Sequence, residues 1–303
     1  MSNTHYQDIF SFNARVKFIG VDLKKEHESV LQLIKEVKKT TNKTEFSFIY
    51  DLHDVIRTKI LRTYLKCQGK KVRVFKKNRS TKKKIISKKI PLKQLSHTCE
   101  RYKKCISKDF PKLTAEDFQI NLTPPEKLEK IIGLAPYAAH DSKIWPVKNY
   151  TSIFEHFKEF KFLLFVFGEK ELELAKKTFL AFPNCEIISQ HLSFSEQLAL
   201  INKLPVFLTM DSANMHLGSL TNSKVISLWG PTHPFLGFGP LFNNENIIQL
   251  TQEELPCRPC SVYGKIKSKD KDCAKKSMDK ISPNMVISKV EKCLNNYASS
   301  TEN

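Results

Sequence analysis

The sequence predicts an α/β protein of two domains, and three observations carry that reading. Short apolar runs alternate with amphipathic stretches along most of the chain, which is the pattern of strands and their covering helices. The alternation lapses once, over residues 115–128, where periodicity is weak and Pro124 and Pro125 stand together; this is linker composition. The length, 303 residues with 41% hydrophobic and 27% charged, suits two units of about 150 residues, each able to bury a core. The expected division is 1–125, 126–282, and a terminal helix and tail over 283–303.

In the first half, residues 14–21 alternate loosely and read as a strand. Residues 26–40 place Val30, Leu33, Ile34 and Val37 at helical spacing. Residues 46–50 read as a strand running into the polar Asp51, His53 and Asp54. A helix over 55–65 carries Ile56, Ile60 and Leu61 on one side, and 71–75 reads as the next strand. The stretch 76–93 is strongly basic, and 97–106 reads as a helix.

The second half is more regular. Strands are expected at 131–135, 162–167, 185–188, 206–209, 225–228 and 247–250. Helices are expected at 150–157, 169–182, 194–202, 214–220 and 283–295. The run 162–167 is almost purely apolar, as a strand covered on both faces of a parallel sheet must be. Open parallel sheets bind ligands outside the carboxyl ends of their strands. That directs attention to four loops: 135–145, 167–171, 209–216 and 229–239.

Charge and composition exclude several classes. No apolar run is long enough for a membrane-spanning helix. The first ten residues are polar and carry no apolar leader segment, so a cytoplasmic location is expected, with peripheral contact to the inner face of a membrane. The formal charge is +19, and residues 1–130 hold +17 of it, with 31 Lys and Arg against 14 Asp and Glu. A basic half suits a phosphorylated or anionic partner, or is a plain solvated lysine-rich face. No nucleic-acid recognition motif accompanies it, and nucleic acid is not expected as a partner. A P-loop and a dinucleotide glycine fingerprint are both absent.

The loops hold the candidate chemistry. In 209–216 a strand ends at Asp211 and a helix starts at once. Ser212 reads as the N-cap, leaving the N–H groups of Ala213, Asn214 and Met215 to meet an anion such as a diphosphate. Asp211 either accepts a sugar hydroxyl or caps that helix, and His216 either lines the site or fills a polar core position. In 229–240, glycines and prolines stiffen a loop that presents Thr232 and His233. The 135–145 loop brings Tyr137, His140 and Lys143. Lys143 can meet charge developing on a leaving diphosphate, or is an ordinary surface lysine. In the first half, Asp51, His53 and Arg57 suit an acceptor, with Asp51 a conceivable base.

The cysteines need separate treatment. Cys257, Cys260 and Cys273 have part of a zinc spacing, but Ser277 stands where a fourth ligand would fall and Cys293 lies far off on a helix. Loop packing or a redox-labile pair is the better reading, and no metal is expected.

Together these segments resemble the bacterial ADP-heptose:lipopolysaccharide heptosyltransferases, glycosyltransferase family 9. The resemblance rests on Lys143-Ile-Trp-Pro146, on residues 210–217 (Met-Asp-Ser-Ala-Asn-Met-His-Leu), on 228–234 (Leu-Trp-Gly-Pro-Thr-His-Pro) with 237–240, and on 51–57 (Asp-Leu-His-Asp-Val-Ile-Arg). The loop from Pro256 through Cys273 to Pro283 is similar as well, so about residues 45–290 are covered.

The resemblance implies a GT-B fold, two Rossmann-like domains facing across a cleft. It implies inverting transfer of heptose from ADP-heptose to a lipid A-linked, phosphorylated glycolipid, with no cofactor and no metal. Lys143 then resembles the diphosphate lysine, Asp211 the acid that holds the donor sugar, and 212–216 the phosphate-facing helix start. Tyr137, Thr232 and His233 become neighbours of the donor. Family members open with a buried strand and an acidic loop that supplies the base. Here the first βα unit looks absent from the N-terminal domain, so His53 or Asp51 is the expected replacement. The alternatives are transfer from another nucleotide sugar for surface polysaccharide, or a degenerate relative without activity.

Overall fold

The structure is a computed structural model and describes residues 1–10, 16–23, 25, 27–112, 122, 125, 126, 128–188 and 192–301. The chain divides into two compact units. One comprises Met1–Arg79 and Ser96–Gln119, the other Ser80–Leu95 and Ile120–Asn303. Most of the expected linker lies outside the described residues.

The second unit is built on one six-stranded sheet. Its strands are β5 (Ile131–Ala135), β6 (Lys161–Leu164), β7 (Cys185–Ile187), β8 (Val206–Met210), β9 (Lys224–Trp229) and β10 (Ile247–Gln249). They run in the order β10-β9-β8-β5-β6-β7, and every pairing is parallel. The helices are α5 (Tyr150–His156), α6 (Gly168–Phe179), α7 (Phe194–Lys203), α8 (Ala213–Gly218), α9 (Lys271–Asp279) and α10 (Pro283–Thr301). The central strand β8 is buried at all five positions. One apolar cluster is centred on Ile132, Leu134, Leu208 and Phe179. A second is centred on Phe165, Phe207 and Trp229. Side chains of opposite parity on β5 and β8 thus feed opposite layers, as the two-residue period requires.

Chain order reverses between β5 and β8. The connection from β5 leads to β6 on one side, while β8 lies on the other. At such a point the loops leaving the two strands diverge and open a crevice at their carboxyl ends. The two loops that meet there are the ones carrying Lys143 and Asp211.

The first unit is sparser. β1 (Ser2–Asn3) pairs parallel with β2 (Gly20–Val21), and β3 (Ile49–Asp51) pairs parallel with β4 (Val72–Val74). The helices α1 (Val30–Lys43), α2 (Ile56–Cys67) and α4 (Thr98–Ile106) accompany them. A capping box explains the start of α1. The Ser29 hydroxyl accepts from Gln32 N, and the Gln32 side chain takes Ser29 N. Asp109 links strand to strand, accepting from Tyr50 Oη at 2.8 Å and from Arg73.

Three differences from the expected elements have physical causes. A strand precedes the expected one. Ser2–Asn3 is too short and too polar to show alternation, and of the strand expected over 14–21 only Gly20–Val21 is extended; residues 11–15 lie outside the described set. Helix α9 replaces part of the expected cysteine-bearing loop. Its buried positions, Ala274, Ser277 and Met278, are mostly small or polar, which hides the helical period. Ser80–Leu95, read with the first half, belongs to the second unit. It includes most of α3 (Arg79–Ile86), where Ile85 and, farther on, Leu95 pack on Leu236. Leu95 N donates to Phe235 O at 2.8 Å, and Lys82 Nζ lies 3.6 Å from the centre of the Phe238 ring. The basic segment therefore covers the glycine-rich loop after β9.

Among the described residues no helix is long and apolar enough to cross a membrane.

Candidate functional site

The loop leaving β5 is anchored by Trp145. Its ring is fully buried, donates from Nε1 to Ile281 O at 2.9 Å, and meets Tyr150 edge to face at 5.0 Å. A 3-10 turn over Asp141–Lys143 then sets the lysine. Gly264 holds it from the far side. With φ +104°, it occupies a backbone region that L side chains rarely adopt, and an added Cβ would lie 3.0 Å from Lys143 Cδ and 2.9 Å from the His140 ring. Ser142 Oγ donates to Gly264 O at 2.7 Å and ties the two loops together.

Lys143 meets Asp211 at the sheet's crevice. Lys143 Nζ lies 3.2 Å from Asp211 Oδ2, and the two side chains are only 10% and 11% exposed. Thr232 Oγ1 donates to the same oxygen at 2.7 Å, and Thr232 is 1% exposed. Three separate loops, after β5, β8 and β9, thus converge on one carboxylate oxygen. The Asp211 backbone is fixed too, its N–H donating to Leu228 O. An ammonium and a carboxylate held this way offer a cation for a phosphate and an acceptor for a sugar hydroxyl.

Helix α8 begins directly after Asp211. Ser212 takes the N-cap position, but its side chain makes no cap bond. Its hydroxyl instead lies 3.3 Å from Thr209 Oγ1, so capping is not what the serine does. Ala213 is exposed at the helix start. Asn214 is 3% exposed, with Oδ1 buried and without a hydrogen-bond partner. His216 is exposed on the helix, which removes the reading of a core filler.

His233 is buried, and its Nδ1 accepts from Phe235 N at 3.1 Å. That bond leaves Nε2 to carry the proton of the neutral ring. Burial first, and then the positive charges of Arg258 and Lys88, push its pKa down to about 4. The imidazole is therefore a neutral donor at physiological pH. Tyr137 turns into the core, packed near the Phe179 ring beneath the β5 loop, and its burial pushes the phenol up to about 12. It is a wall of the loop's foundation and not a companion of Lys143 and Asp211.

Asp51 and His53 lie in the first unit. The Asp51 carboxylate is engaged on both oxygens: Oδ1 accepts from His53 N and Asp54 N, each at 2.9 Å, and Oδ2 accepts from Arg62 at 3.0 Å. Burial raises its pKa, but the Asp54 and His53 N–H groups, Thr58 and Arg62 outweigh burial and hold it below the ordinary carboxylate range. A carboxylate so stabilised is a poor base. His53 is exposed, and partial burial with the charges of Lys77, Arg79 and Arg57 lowers its pKa despite Asp51. It is neutral and able to take a proton.

The sulfur cluster is the one group of metal-ligating type among the described residues. The Sγ atoms of Cys257, Cys260 and Cys273 lie within 4.8 Å of one another. Cys257 and Cys273 form a disulfide, which withdraws two thiolates from any metal, and Ser277 is buried with its hydroxyl donated to Ala274 O. Arg258, between the first two cysteines, is a site residue that sequence reasoning passed over. Its guanidinium is fully buried against the loop that carries Thr232. The one signal for it was its place in the Cys-Arg-Pro-Cys turn.

Comparison with known proteins gives the family and the fold. The profile of glycosyltransferase family 9 (heptosyltransferase) matches residues 34–267. Lipooligosaccharide heptosyltransferase 2 of Campylobacter jejuni subsp. jejuni serotype O:2 is 27% identical over 177 residues, covering 55% of this chain and 52% of the relative. The chain thus spans about half the length of the curated relatives it matches. A glycosyl transferase family 9 structure from Veillonella parvula superposes with a TM-score of 0.71 at 19% identity, over 97% of this chain and 87% of the other. E. coli heptosyltransferase WaaC with ADP superposes with a TM-score of 0.67 at 14% identity, over 96% and 88%. These likenesses show a two-domain α/β fold of the GT-B type. By its matched residues, the chain belongs to glycosyltransferase family 9, the heptosyltransferase family.

Proposed function

We propose that the protein transfers a heptose from ADP-heptose to a phosphorylated glycolipid, the lipid A-linked core of lipopolysaccharide, with inversion at the anomeric carbon. The observation that carries this reading is the buried Lys143–Asp211–Thr232 convergence at the point where the sheet reverses. A related fold was solved with ADP and another time with ADP-2-deoxy-2-fluoro heptose; those ligands belong to that protein and support the choice of donor here.

The chemistry follows from the residues. The acceptor oxygen attacks the anomeric carbon from the face opposite the nucleotide, the C–O bond to the β-phosphate breaks, and ADP departs with the bonding pair. Negative charge grows on the departing phosphate. Lys143 meets it, and the N–H groups at the start of α8 add partial positive charge. Asp211, held by Lys143 and Thr232, accepts a hydroxyl of the donor sugar and keeps the lysine in place. His233 offers Nε2–H to the donor. His53, neutral and exposed, is the base we assign to the acceptor hydroxyl, in preference to the fully bonded Asp51. The basic first unit suits an anionic glycolipid at the cytoplasmic face of the inner membrane.

Mass spectrometry of a purified lipid A-linked acceptor incubated with a panel of ADP- and UDP-sugars tests the proposal. Addition of one heptose from ADP-heptose alone supports it. Transfer from a different nucleotide sugar, or from none, refutes it.

A further inference from the structure

Arg258 is fully buried, and every nitrogen of its guanidinium donates. Nε donates to Gly230 O. Nη1 donates to Leu250 O. Nη2 donates to Trp229 O at 3.0 Å, Thr232 O at 3.0 Å and Gln249 Oε1 at 3.1 Å. The acceptors come from the carboxyl end of β9, the turn after it, and the carboxyl end of β10. One side chain therefore ties two neighbouring strand ends to the turn between Trp229 and Thr232. The rest of its loop adds to the grip, since Cys260 N donates to Pro231 O at 2.8 Å.

This arrangement is costly as a purely structural device. The hydrogen-bond partners of the buried charge are neutral oxygens. Burial pulls its pKa down to about 10, with Cys260 and Glu254 only partly opposing. A buried cation is seldom the cheapest way to stabilise a core, and an apolar side chain of similar volume often does as well. What an apolar side chain cannot do is fix a turn of carbonyls with no regular pairing of its own. The turn ends at Thr232, whose carbonyl Arg258 holds and whose hydroxyl donates to Asp211.

We propose that Arg258 is a positioning residue for the donor: it holds the Trp229–Thr232 turn so that the Thr232 hydroxyl keeps Asp211 aligned, without itself touching the substrate. This rests on the donor assignment made above. If Arg258 acts only through Thr232, losing both costs no more than losing one.

The test is a cycle of Arg258→Lys, Thr232→Val and the double variant, each confirmed folded by near-UV circular dichroism and titrated with ADP-heptose. Arg258→Lys keeps the charge and loses the planar fork. Each single variant should weaken ADP-heptose about tenfold, and the double variant should be no weaker than the worse single one. In turnover, the donor KM should rise more than kcat falls. Wild-type affinity in folded Arg258→Lys overturns the proposal, as does a roughly hundredfold, multiplicative loss in the double variant. Arg258→Gln replaces the lysine variant if that one does not fold, under the same criteria. If the wild type binds no ADP-heptose, the donor assignment fails first. The positional claim is then read from urea unfolding of Arg258→Gln, Thr232→Val and their combination, where additive losses overturn it and coupled losses uphold it.

Discussion

Replacing Lys143 by methionine isolates the pair at the centre of the site. The ammonium and the Asp211 carboxylate lie 3.2 Å apart and are about nine-tenths buried. At an effective dielectric of about 20, that separation corresponds to a gross attraction of about 5 kcal/mol. Desolvating two ions cancels much of it, so the intact pair adds little net stability. Removing one partner is different. It leaves Asp211 buried with Thr232 as its remaining side-chain donor, and single losses of this kind cost about 3–5 kcal/mol. Lys143→Met should therefore destabilise the second unit by about 3 kcal/mol. Asp211→Asn should cost somewhat less, because the amide oxygen can still accept from Thr232. The double variant should recover at least about 1.5 kcal/mol relative to the sum. Urea unfolding followed by tryptophan fluorescence reads this unit alone, since the chain's two tryptophans, Trp145 and Trp229, both lie in it. Additive losses within about 0.5 kcal/mol would show that the two side chains do not interact, and the reasoning from burial and distance would fail.

Further outcomes follow from the same geometry. The His233 pKa is depressed to about 4, so the unfolded chain binds the extra proton between about pH 6.5 and pH 4. Stability should be fully present above that window and fall by up to about 3 kcal/mol across it. Replacing His233 with glutamine should flatten that part of the urea-midpoint profile. The Cys257–Cys273 disulfide closes a loop with a sequence separation of 16, so reduction or Cys273→Ser should cost about 3 kcal/mol, while Cys67→Ser should leave the oxidised midpoint unchanged. Gly264→Ala forces a side chain to φ +104° beside Lys143. It should cost about 1–3 kcal/mol and weaken ADP binding in calorimetry. With the diphosphate assigned, as proposed, to a lysine and helix N–H groups, transfer should continue at the same rate in EDTA; loss restored by a divalent ion would contradict that assignment.

The second unit was legible because its strands are covered on both faces. Residues 132–135 and 206–208 are apolar for the same reason that they are buried, and the strand-to-loop rule then pointed at Lys143, Asp211 and Thr232. What sequence could not convey was which loop residues turn inward. Tyr137 and Lys143 share one loop, yet the tyrosine fills the core while the lysine reaches the crevice, a choice set by the Trp145 anchor and Gly264. The first unit was harder to read, since its strands are two or three residues long and half-buried, and short irregular pairing leaves no period. Ser80–Leu95 reads with the first half because lysines crowd Ile85 and Leu95, and charge masks the apolar contacts that join it to Leu236. Arg258 was invisible for another reason. Four of its five partners are backbone carbonyls 8–29 positions away, and a carbonyl has no signature in a sequence.

The claim on which the rest depends is that the loops around Asp211 bind the diphosphate and sugar of a nucleotide sugar. Isothermal titration of ADP-heptose into the wild type, Lys143→Ala and Asp211→Ala tests it most directly. Saturable one-to-one binding by the wild type and at least a tenfold loss in each variant are expected. Against ADP alone, the loss should stay large for Lys143→Ala and shrink for Asp211→Ala. Equal affinity in all three proteins would contradict it.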